Sequence, residues 1–244
     1  INTTILLLKF KARQLSDHWK WWALLAFNTL FLFIMVGLIG QRGAYVGLMF
    51  GLAALFLLQS KRLLLLMAVI IALSPLFAPA YIIQRTQSIF EPGELSNSVR
   101  IKLMQLGGQM IVNEQFYLRG TGAKTIKAEV KRYLYGQPQA MRDHYDDLLH
   151  TFPGNFHNSY LQMALECGVL SLVLFLGGVG WLMIRLFSRL SQATGDDHIW
   201  ISSALVTMTG FGVCSFFHEE FFKYGGLVTF IIFYSGCMIH DTIT

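Results

Sequence analysis

The sequence predicts an all-α, polytopic integral membrane protein, and three observations carry this prediction. Hydrophobic residues make up 54% of the 244 residues, and the mean hydropathy is +0.51. Charged residues account for only 14%, whereas a typical soluble domain carries roughly 25%. The charges are also clustered, which leaves uncharged stretches long enough to cross a bilayer.

Apolar stretches of this kind predict at least six transmembrane helices. The first opens beside Trp19, Trp21 and Trp22, the aromatic belt expected at a membrane surface. The third contains Pro75 and Pro79, which are expected to kink or end it. The predicted spans are residues 21–39, 43–59, 63–83, 159–187, 199–217 and 224–239.

These spans divide the chain into three parts. Residues 1–83 hold the first spans, residues 84–158 form a long polar segment, and residues 159–244 hold the remaining spans. The chain begins with Ile1 in a run that resembles the end of an apolar segment, so we expect further spans to precede it.

The basic residues predict the orientation in the membrane. The short connections on one side hold only Arg42 and Lys223. The connections on the other side hold eight basic residues: Lys9, Lys11, Arg13, Lys20, Lys61, Arg62, Arg185 and Arg189. Because cytoplasmic connections are rich in Lys and Arg, the eight mark the cytoplasm. Arg42, residues 84–158 and His218–Lys223 therefore face outward.

The polar segment is predicted to contain a helix that follows the N-cap candidates Ser96, Asn97 and Ser98. Apolar residues then recur at helical spacing, which indicates one buried face. These residues are Val99, Leu103, Leu106 and Met110.

A second, amphipathic helix is predicted after a chain break at Gly120-Thr121-Gly122. Its basic face suits anionic lipid headgroups, and a simply solvated face is the alternative. The apolar face holds Ile126, Val130 and Tyr133, and the basic face holds Lys124, Lys127 and Lys131.

His157 is the strongest candidate for chemistry. It stands before Asn158 and Ser159, at the predicted N-terminus of the fourth span. The helix dipole and free N–H groups there favour anions and disfavour an imidazolium ion. A neutral imidazole can accept a proton. The alternative interpretation is a polar anchor at the membrane surface.

Two arginines could bind an anion. Arg42 lies in a short connection with Gly43 beside it, and a guanidinium suits fork-like recognition of phosphate. Arg100 lies in the first turn of the predicted helix, where a cation opposes the dipole unless an external anion binds. The alternatives are an interfacial arginine and an exposed arginine beside Lys102.

Glu166 is the one acid well inside a predicted span, roughly 13 Å along the helix axis from His157. Gln162 shares its face. Because intramembrane carboxylates are costly, Glu166 is expected either to orient a basic residue of the site or to form hydrogen bonds between helices.

The remaining polar clusters give weaker signals. Residues 142–150 contain oxygen and nitrogen ligands, but their spacing matches no metal template, which favours a solvated loop. His218-Glu219-Glu220 is a weak acid/base candidate. The three cysteines, Cys167, Cys214 and Cys237, lie in apolar stretches and are expected to be buried free thiols.

Taken together, these residues resemble the O-antigen ligase and polymerase superfamily of bacterial envelope enzymes. The resemblance covers about residues 21–187. It rests on Gln41-Arg42-Gly43, Arg100, Gly120-Thr121-Gly122, and the run from His157-Asn158-Ser159-Tyr160-Leu161-Gln162 to Glu166-Cys167-Gly168. Members commonly have Ser or Thr where this chain has Gln41.

The resemblance implies a glycosyltransferase-C-like fold in the bacterial inner membrane, with the active site facing the periplasm. It implies metal-independent, inverting transfer of a glycan from undecaprenyl pyrophosphate, without a cofactor, nucleotide or nucleic acid. The acceptor would be a sugar hydroxyl of lipid A–core in a ligase, which we prefer, or another glycan in a polymerase. A non-catalytic transporter of lipid-linked glycans is the competing class.

The resemblance also implies roles for individual residues. His157, Arg42 and Arg100 would be catalytic, and both arginines would bind the pyrophosphate. Gln162 and Glu166 would orient the site. The other substrate-binding candidates are Asn158, Gly120, Gly122 and Lys124.

Overall fold

The computed structural model describes residues 27, 42–59, 62, 65, 68, 69, 95–152 and 154–217. Within these residues the secondary structure is helical and no strand occurs, which confirms the all-α prediction. Most of the predicted first and third spans, the sixth span and His218-Glu219-Glu220 lie outside the described residues, as do the tryptophan belt and Cys237.

The helices of the described part are numbered here in chain order. They are α1 (Arg42–Gln59), α2 (Leu95–Asn113), α3 (Ile126–Tyr135), α4 (Gln139–His144), α5 (Asp146–Thr151), α6 (Ser159–Cys167), α7 (Val169–Leu190) and α8 (Gly195–Cys214). They fall into two compact units. The first contains α1, α8 and the part of α7 from Trp181 onward, and the second contains the described residues of 95–180 and 215–217.

The first unit is built on a close contact between α1 and α8. A Cβ atom placed on Gly47 would stand 2.8 Å from the carbonyl oxygen of Gly210, and one on Gly210 would stand 2.9 Å from that of Gly47. Small residues let membrane helices approach each other in this way. Leu55, Ile199 and Val206 form a buried cluster in the same unit.

The second unit has its own hydrophobic core, formed by α2, α3, α5, α6 and the chain before α6. The apolar positions predicted for α2 and α3 face this core, which confirms both amphipathic patterns. The buried residues are Leu103, Leu106, Met110, Ile126, Val130, Tyr133, Leu134, Tyr145, Leu148, Phe152, Phe156 and Leu165. Because the apolar face of α3 packs inside the protein, that face is not available to a bilayer.

The predicted start of α2 is wrong. The helix already includes Leu95, so Ser96, Asn97 and Ser98 lie within it and do not cap it. A side-chain cap stabilises a helix by only about 1 kcal/mol, which other contacts easily outweigh. Arg100 is therefore the sixth residue of α2. The argument that Arg100 opposes the dipole in the first turn no longer applies, because the dipole acts mainly within that turn.

The predicted fourth span is also wrong as a single helix. Residues 159–187 belong to α6 and α7, which Gly168 separates with φ +93°. The chain breaks there because the first N–H groups of α7 bind elsewhere: Val169 N donates to Phe116 O at 3.0 Å and Leu170 N to Tyr117 O at 2.8 Å. Glu166 consequently lies in α6 and outside the apolar helix α7.

Among the described residues, α7 is the helix long and apolar enough to cross a membrane. Helix α1 forms where the span 43–59 is predicted, but its apolar part, Gly43–Leu58, is shorter than α7, and a membrane crossing there remains a prediction. Helix α8 includes the polar residues after Gly195 and ends at Cys214. It therefore starts and ends earlier than the predicted span 199–217. The division into parts at residues 83 and 158 remains a prediction.

Candidate functional site

The junction between α6 and α7 is covered by residues 116–122, a segment called the strap below. Thr121 N donates to Leu165 O at 2.8 Å and Gly122 N to Glu166 O at 3.0 Å, so the strap caps the last carbonyl groups of α6. The two backbones touch: a Cβ atom on Gly120 would stand 2.6 Å from Glu166 O.

Gly168 meets the strap from the other side. A Cβ atom there would stand 2.8 Å from Arg119 N. The glycines that the resemblance singled out, Gly120 and Gly168, are thus required by backbone contact. Gly122 adopts φ +97°, a conformation that favours glycine. The structure gives Gly120 a packing role and Gly122 a conformational one, and their predicted contact with substrate remains a prediction.

The N-terminus of α6 is fully capped by the protein itself. The Asn158 side chain accepts hydrogen bonds from Tyr160 N and Leu161 N, both at 3.0 Å. Gln162 N donates to Asn158 O at 2.9 Å, and Ser159 N donates to Ser215 O at 2.8 Å. The prediction that free N–H groups at this helix start would bind an anion is therefore wrong, because all four have partners. Asn158 is the N-cap and is only 5% exposed.

His157 stands immediately before this cap, in an uncommon backbone conformation. Its φ is +51°, in the left-handed region that non-glycine residues rarely adopt. Its N–H donates to the Asn155 side-chain oxygen at 3.3 Å, and its side chain is partly exposed. Such a conformation costs of order 1–3 kcal/mol and persists where the surroundings enforce it, which is common at functional sites.

A chain of hydrogen bonds fixes the residue before His157. Gln162 donates from Nε2 to Glu166 Oε1 at 2.6 Å, and its Oε1 accepts the Phe156 N–H at 3.2 Å. Gln162, Phe156 and the core around them are buried. The predicted pairing of Gln162 with Glu166 on one face is observed, and the amide of Gln162 links Glu166 to the loop that carries His157.

Helices α2 and α6 run side by side in the same direction. A Cβ atom on Gly107 would meet Leu161 Cδ2 at 2.8 Å, and further along both chains Val169 N reaches Phe116 O. Arg100 precedes Gly107 by seven residues, about 10 Å along α2, and His157 precedes Leu161 by four. Both candidate residues therefore lie toward the same end of the helix pair.

An open groove of about 320 Å³ lies between α2, α6 and the start of α7. It is lined by Met104, Ile111, Asn158, Tyr160, Leu161, Ala164, Val169 and Leu172. Arg100 shares one face of α2 with Met104 and Ile111, because four and eleven residues correspond to nearly whole helical turns. The groove thus begins near the end of α2 and α6 that carries the two candidates.

The other predicted site residues belong to other elements of the chain. Arg42 is the first residue of α1, in the other compact unit, and not in a connection as predicted. Lys124 is exposed in the turn before α3, with φ +63°. Lys127 and Lys131 are exposed on α3, and the Lys127 side chain passes 3.9 Å from a Cβ position on Gly154.

The weaker candidates do not form a site in the described part of the chain. Lys102 pairs with Asp147 at 3.1 Å, and Asp146 faces His150 at 3.6 Å. No group of three or more His, Cys, Asp or Glu side chains suited to a metal occurs among the described residues. Cys167 and Cys214 are free thiols as predicted, but both are partly exposed and not buried.

Sequence reasoning missed two residues that position the site. Asn155 accepts the His157 N–H, and a signal existed, because Asn often binds the backbone two residues ahead in a turn. Ser215, whose carbonyl accepts the Ser159 N–H, lies far along the chain, and no local pattern identifies it. The Phe216 ring next to it stacks on Tyr160 at 4.5 Å between centroids.

Comparison with known families gives a match over more than half of the sequence. The model of the O-antigen ligase family matches residues 27–176, which is 150 of the 244 residues. This range contains Arg42, Arg100, His157 and Glu166, together with the strap. The curated proteins yield no match, and the solved structures yield none either. Because the family model covers more than half of the sequence, the chain belongs to the O-antigen ligase family.

Proposed function

We propose that this protein transfers a glycan from undecaprenyl pyrophosphate to a sugar hydroxyl of lipid A–core, at the periplasmic face of the inner membrane. Membership of the family places the chain among inner-membrane, glycosyltransferase-like proteins of lipopolysaccharide biosynthesis. The donor, the acceptor, the several further spans and the periplasmic orientation are parts of the proposal.

The observation that carries the proposal is the backbone of His157. A left-handed conformation at φ +51° is maintained between the Asn155 bond on one side and the Asn158 cap on the other. The chain from Glu166 through Gln162 to Phe156 N fixes the preceding residue. A histidine that only anchored the chain to the membrane surface would not need such constraint.

The proposed chemistry is a single displacement. The acceptor hydroxyl gives its proton to the His157 imidazole as its oxygen attacks the anomeric carbon of the donor sugar. The bond between that carbon and the pyrophosphate oxygen breaks, so the configuration inverts and undecaprenyl pyrophosphate leaves. Because the pyrophosphate is already a good leaving group, the reaction needs no nucleotide.

The arginines are proposed to stabilise the charge that develops on the leaving pyrophosphate. The N–H groups at the start of α6 already have partners, so binding of the anion depends on cationic side chains. Arg100 is proposed for this role because it lies toward the same end of α2 and α6 as His157. Arg42 and Lys124 are proposed as further phosphate contacts on the basis of the sequence.

In this proposal Asn158, Gln162 and Glu166 act on substrate indirectly. Asn158 holds the start of α6, and the other two hold the loop before it. They are proposed as positioning residues, because their side chains bind backbone N–H groups or one another.

The test is transfer in vitro by full-length protein, with undecaprenyl-pyrophosphate glycan and lipid A–core. His157→Ala is expected to abolish product, while the matched variant His150→Ala retains it, because His150 is an exposed residue of α5. Arg100→Ala is likewise expected to fail where Lys102→Ala, two residues later on α2, succeeds. Arg42→Lys should fail too if the phosphate is bound by a guanidinium fork.

Each outcome distinguishes a function. Capped lipopolysaccharide formed by the wild type and lost in His157→Ala supports the ligase. Longer glycans without capping identify a polymerase, and no product from folded protein favours a transporter. A chelator is expected to leave the rate unchanged; a loss that Mg²⁺ restores would contradict the metal-independent mechanism.

A further inference from the structure

The strap carries an exposed apolar surface that the proposed reaction does not use. Leu118 is 76% exposed and Tyr117 is 49% exposed, although both are large hydrophobic residues in a polar segment of the chain. Arg119 beside them is exposed as well. Scattered exposed apolar residues are ordinary. The exposure of Tyr117 and Leu118 therefore indicates a binding surface only through their position in the fold.

This surface continues directly into the membrane-crossing helix. Leu170 N is bound to Tyr117 O at 2.8 Å, and Val169 N to Phe116 O at 3.0 Å. The strap is therefore fixed to the first turn of α7. Val173 and Leu174, one turn further on, are 57% and 67% exposed, as expected of residues that face lipid. Exposed apolar residues therefore occur both on the strap and on the first turns of the helix to which it is bound.

The strap is also suited to a lipid environment by its backbone. Irregular backbone is tolerated near hydrocarbon only where its polar groups have partners. Phe116 O and Tyr117 O accept bonds from α7, and Thr121 N and Gly122 N donate to α6. Tyr117 N donates to Gln115 O at 2.7 Å. The hydrogen-bonding groups named here, at both ends of the strap, are thus satisfied inside the protein.

We propose that the strap is a membrane-surface anchor. Tyr117 and Leu118 insert at the boundary between phospholipid headgroups and acyl chains around the first turn of α7, and Arg119 contacts lipid phosphate. Tyrosine and arginine are residues that proteins place at this boundary. The inference concerns the height of the protein in the bilayer and does not depend on the glycosyl transfer proposed above.

The anchor would set the height of the candidate site. The strap holds the C-terminal end of α6 at the headgroup boundary, and Asn158 lies ten residues before Gly168. At 1.5 Å per residue, α6 spans about 15 Å between these positions. Its two ends could therefore differ in height above the acyl chains by up to this distance, depending on the tilt of α6.

Site-directed spin labelling tests the anchor in full-length protein reconstituted in phospholipid vesicles. Cys167, Cys214 and Cys237 are replaced by Ser, and a nitroxide is attached to Leu118→Cys, Leu174→Cys or Lys131→Cys in turn. Collision with O₂, which concentrates among acyl chains, is compared with collision with a water-soluble nickel chelate. Position 174 serves as the lipid reference and position 131, exposed on α3, as the water reference.

The expected ratio of oxygen to nickel collisions at position 118 is close to that at position 174 and severalfold above that at position 131. A ratio equal to that at position 131 would mean that the strap stands in water, and the anchor would be wrong. A label shielded from both reagents would mean that protein covers the strap, which equally overturns the proposal. Glycosyl transfer by the cysteine-free parent, measured in parallel, reports separately on the proposed function.

Discussion

At the scale of single residues, the candidate site depends on hydrogen bonds that lock backbone rather than on a visible catalytic pair. His157 is presented by a loop whose neighbours on both sides are fixed, by Gln162 before it and by Asn158 after it. A buried polar group without a partner costs about 1–3 kcal/mol, so each of these side chains has a strong reason to remain in place.

Removal of Gln162 tests this arrangement. Gln162→Ala leaves the buried Phe156 N–H without a partner and is expected to destabilise the fold by about 1–3 kcal/mol. Hydrogen exchange at the Phe156 amide should accelerate, and transfer should fall together with it. Gln105→Ala, which changes an exposed glutamine on α2, is the control. Equal protection of the Phe156 amide in both variants would disprove the hydrogen bond from Phe156 to Gln162.

The glycines of α2 and the strap provide a second test. Gly120→Ala forces a Cβ atom against the carbonyl groups of Leu165 and Glu166, and overpacking of this kind costs about 1–3 kcal/mol. Gly108→Ala on α2 meets nothing within 4 Å, and there alanine should stabilise the helix by about 0.5–1 kcal/mol. Thermal unfolding in detergent measures the change in stability of each variant. A shift of the unfolding temperature with the same sign in both would contradict the contacts of the strap.

Tyr145 predicts a dependence of stability on pH. Burial in the core, with a contribution from Tyr133, raises the pKa of Tyr145 above its ordinary value. The folded form therefore retains this proton at a pH where the unfolded chain, with a pKa near 10, has lost it. The resulting stability is complete below about pH 10 and declines as the pH rises through the folded pKa.

In Tyr145→Phe the phenol is absent, so the free energy of unfolding should decline less steeply above about pH 10 than in the wild type. At neutral pH the variant loses the 3.3 Å bond from the hydroxyl to Gln109 and should be slightly less stable. Denaturant unfolding of both proteins, at neutral pH and above about pH 10, measures these differences in the free energy of unfolding. Parallel declines in the two proteins would show that Tyr145 is not responsible.

At the scale of secondary structure, the break at Gly168 separates two helices with different environments. Helix α6 has nine residues and is too short to be stable alone. It is held by the Asn158 cap at one end and the strap at the other, and it packs on α2 and the core. Helix α7 has 22 residues, and all of them except Leu186 are at least partly exposed. One hydrophobic stretch of sequence thus serves two purposes.

The contact between α1 and α8 gives a prediction at the same scale. Gly47→Ala places a methyl group 2.8 Å from Gly210 O, which is backbone and cannot move aside cheaply. The helices must separate, at a cost of about 1–3 kcal/mol. Gly177→Ala in α7 is the control, because nothing lies within 4 Å of its Cβ position. The temperature of thermal unfolding in detergent should fall for Gly47→Ala only. Equal unfolding temperatures for the two variants would contradict the close contact between α1 and α8.

At the scale of the whole molecule, charge and hydropathy predict the orientation that the proposed function requires. Arg185 and Arg189 lie near the C-terminal end of α7, whereas residues 95–158 precede its N-terminal end. If Lys and Arg mark the cytoplasm, the candidate site faces the periplasm, where lipid-linked glycans would have to be presented.

Cysteine accessibility checks this orientation. In a cysteine-free background, Lys131→Cys should react with a membrane-impermeant maleimide supplied to the periplasm of cells whose inner membrane is intact. Ser191→Cys, just after α7, should react only once the inner membrane is permeabilised, because the neighbouring Arg185 and Arg189 predict that it lies on the cytoplasmic side. Both positions are exposed, so accessibility within the protein is matched. The reverse pattern would invert the topology and remove the periplasmic site.

The sequence by itself determined the helical class, the apolar faces of α2 and α3, and the pairing of Gln162 with Glu166. These follow from periodicity, because residues three or four apart share a helix face whatever the surrounding fold. It also identified the family, and it proposed His157 as the central residue of the site. The family match confirms the recognition but assigns no residue its role, so the roles of the arginines and of His157 remain predictions.

Only the tertiary structure decided where the long apolar stretch breaks and what the start of α6 binds. The sequence around Gly168 does not indicate that the helix breaks there, because the break depends on contacts with the distant residues Phe116 and Arg119. The helix N-terminus looked open to an anion, but Asn158 and Ser215 occupy its N–H groups. Hydropathy records the tendency of each residue to leave water; which partners satisfy the backbone depends on chain segments that meet only in the fold.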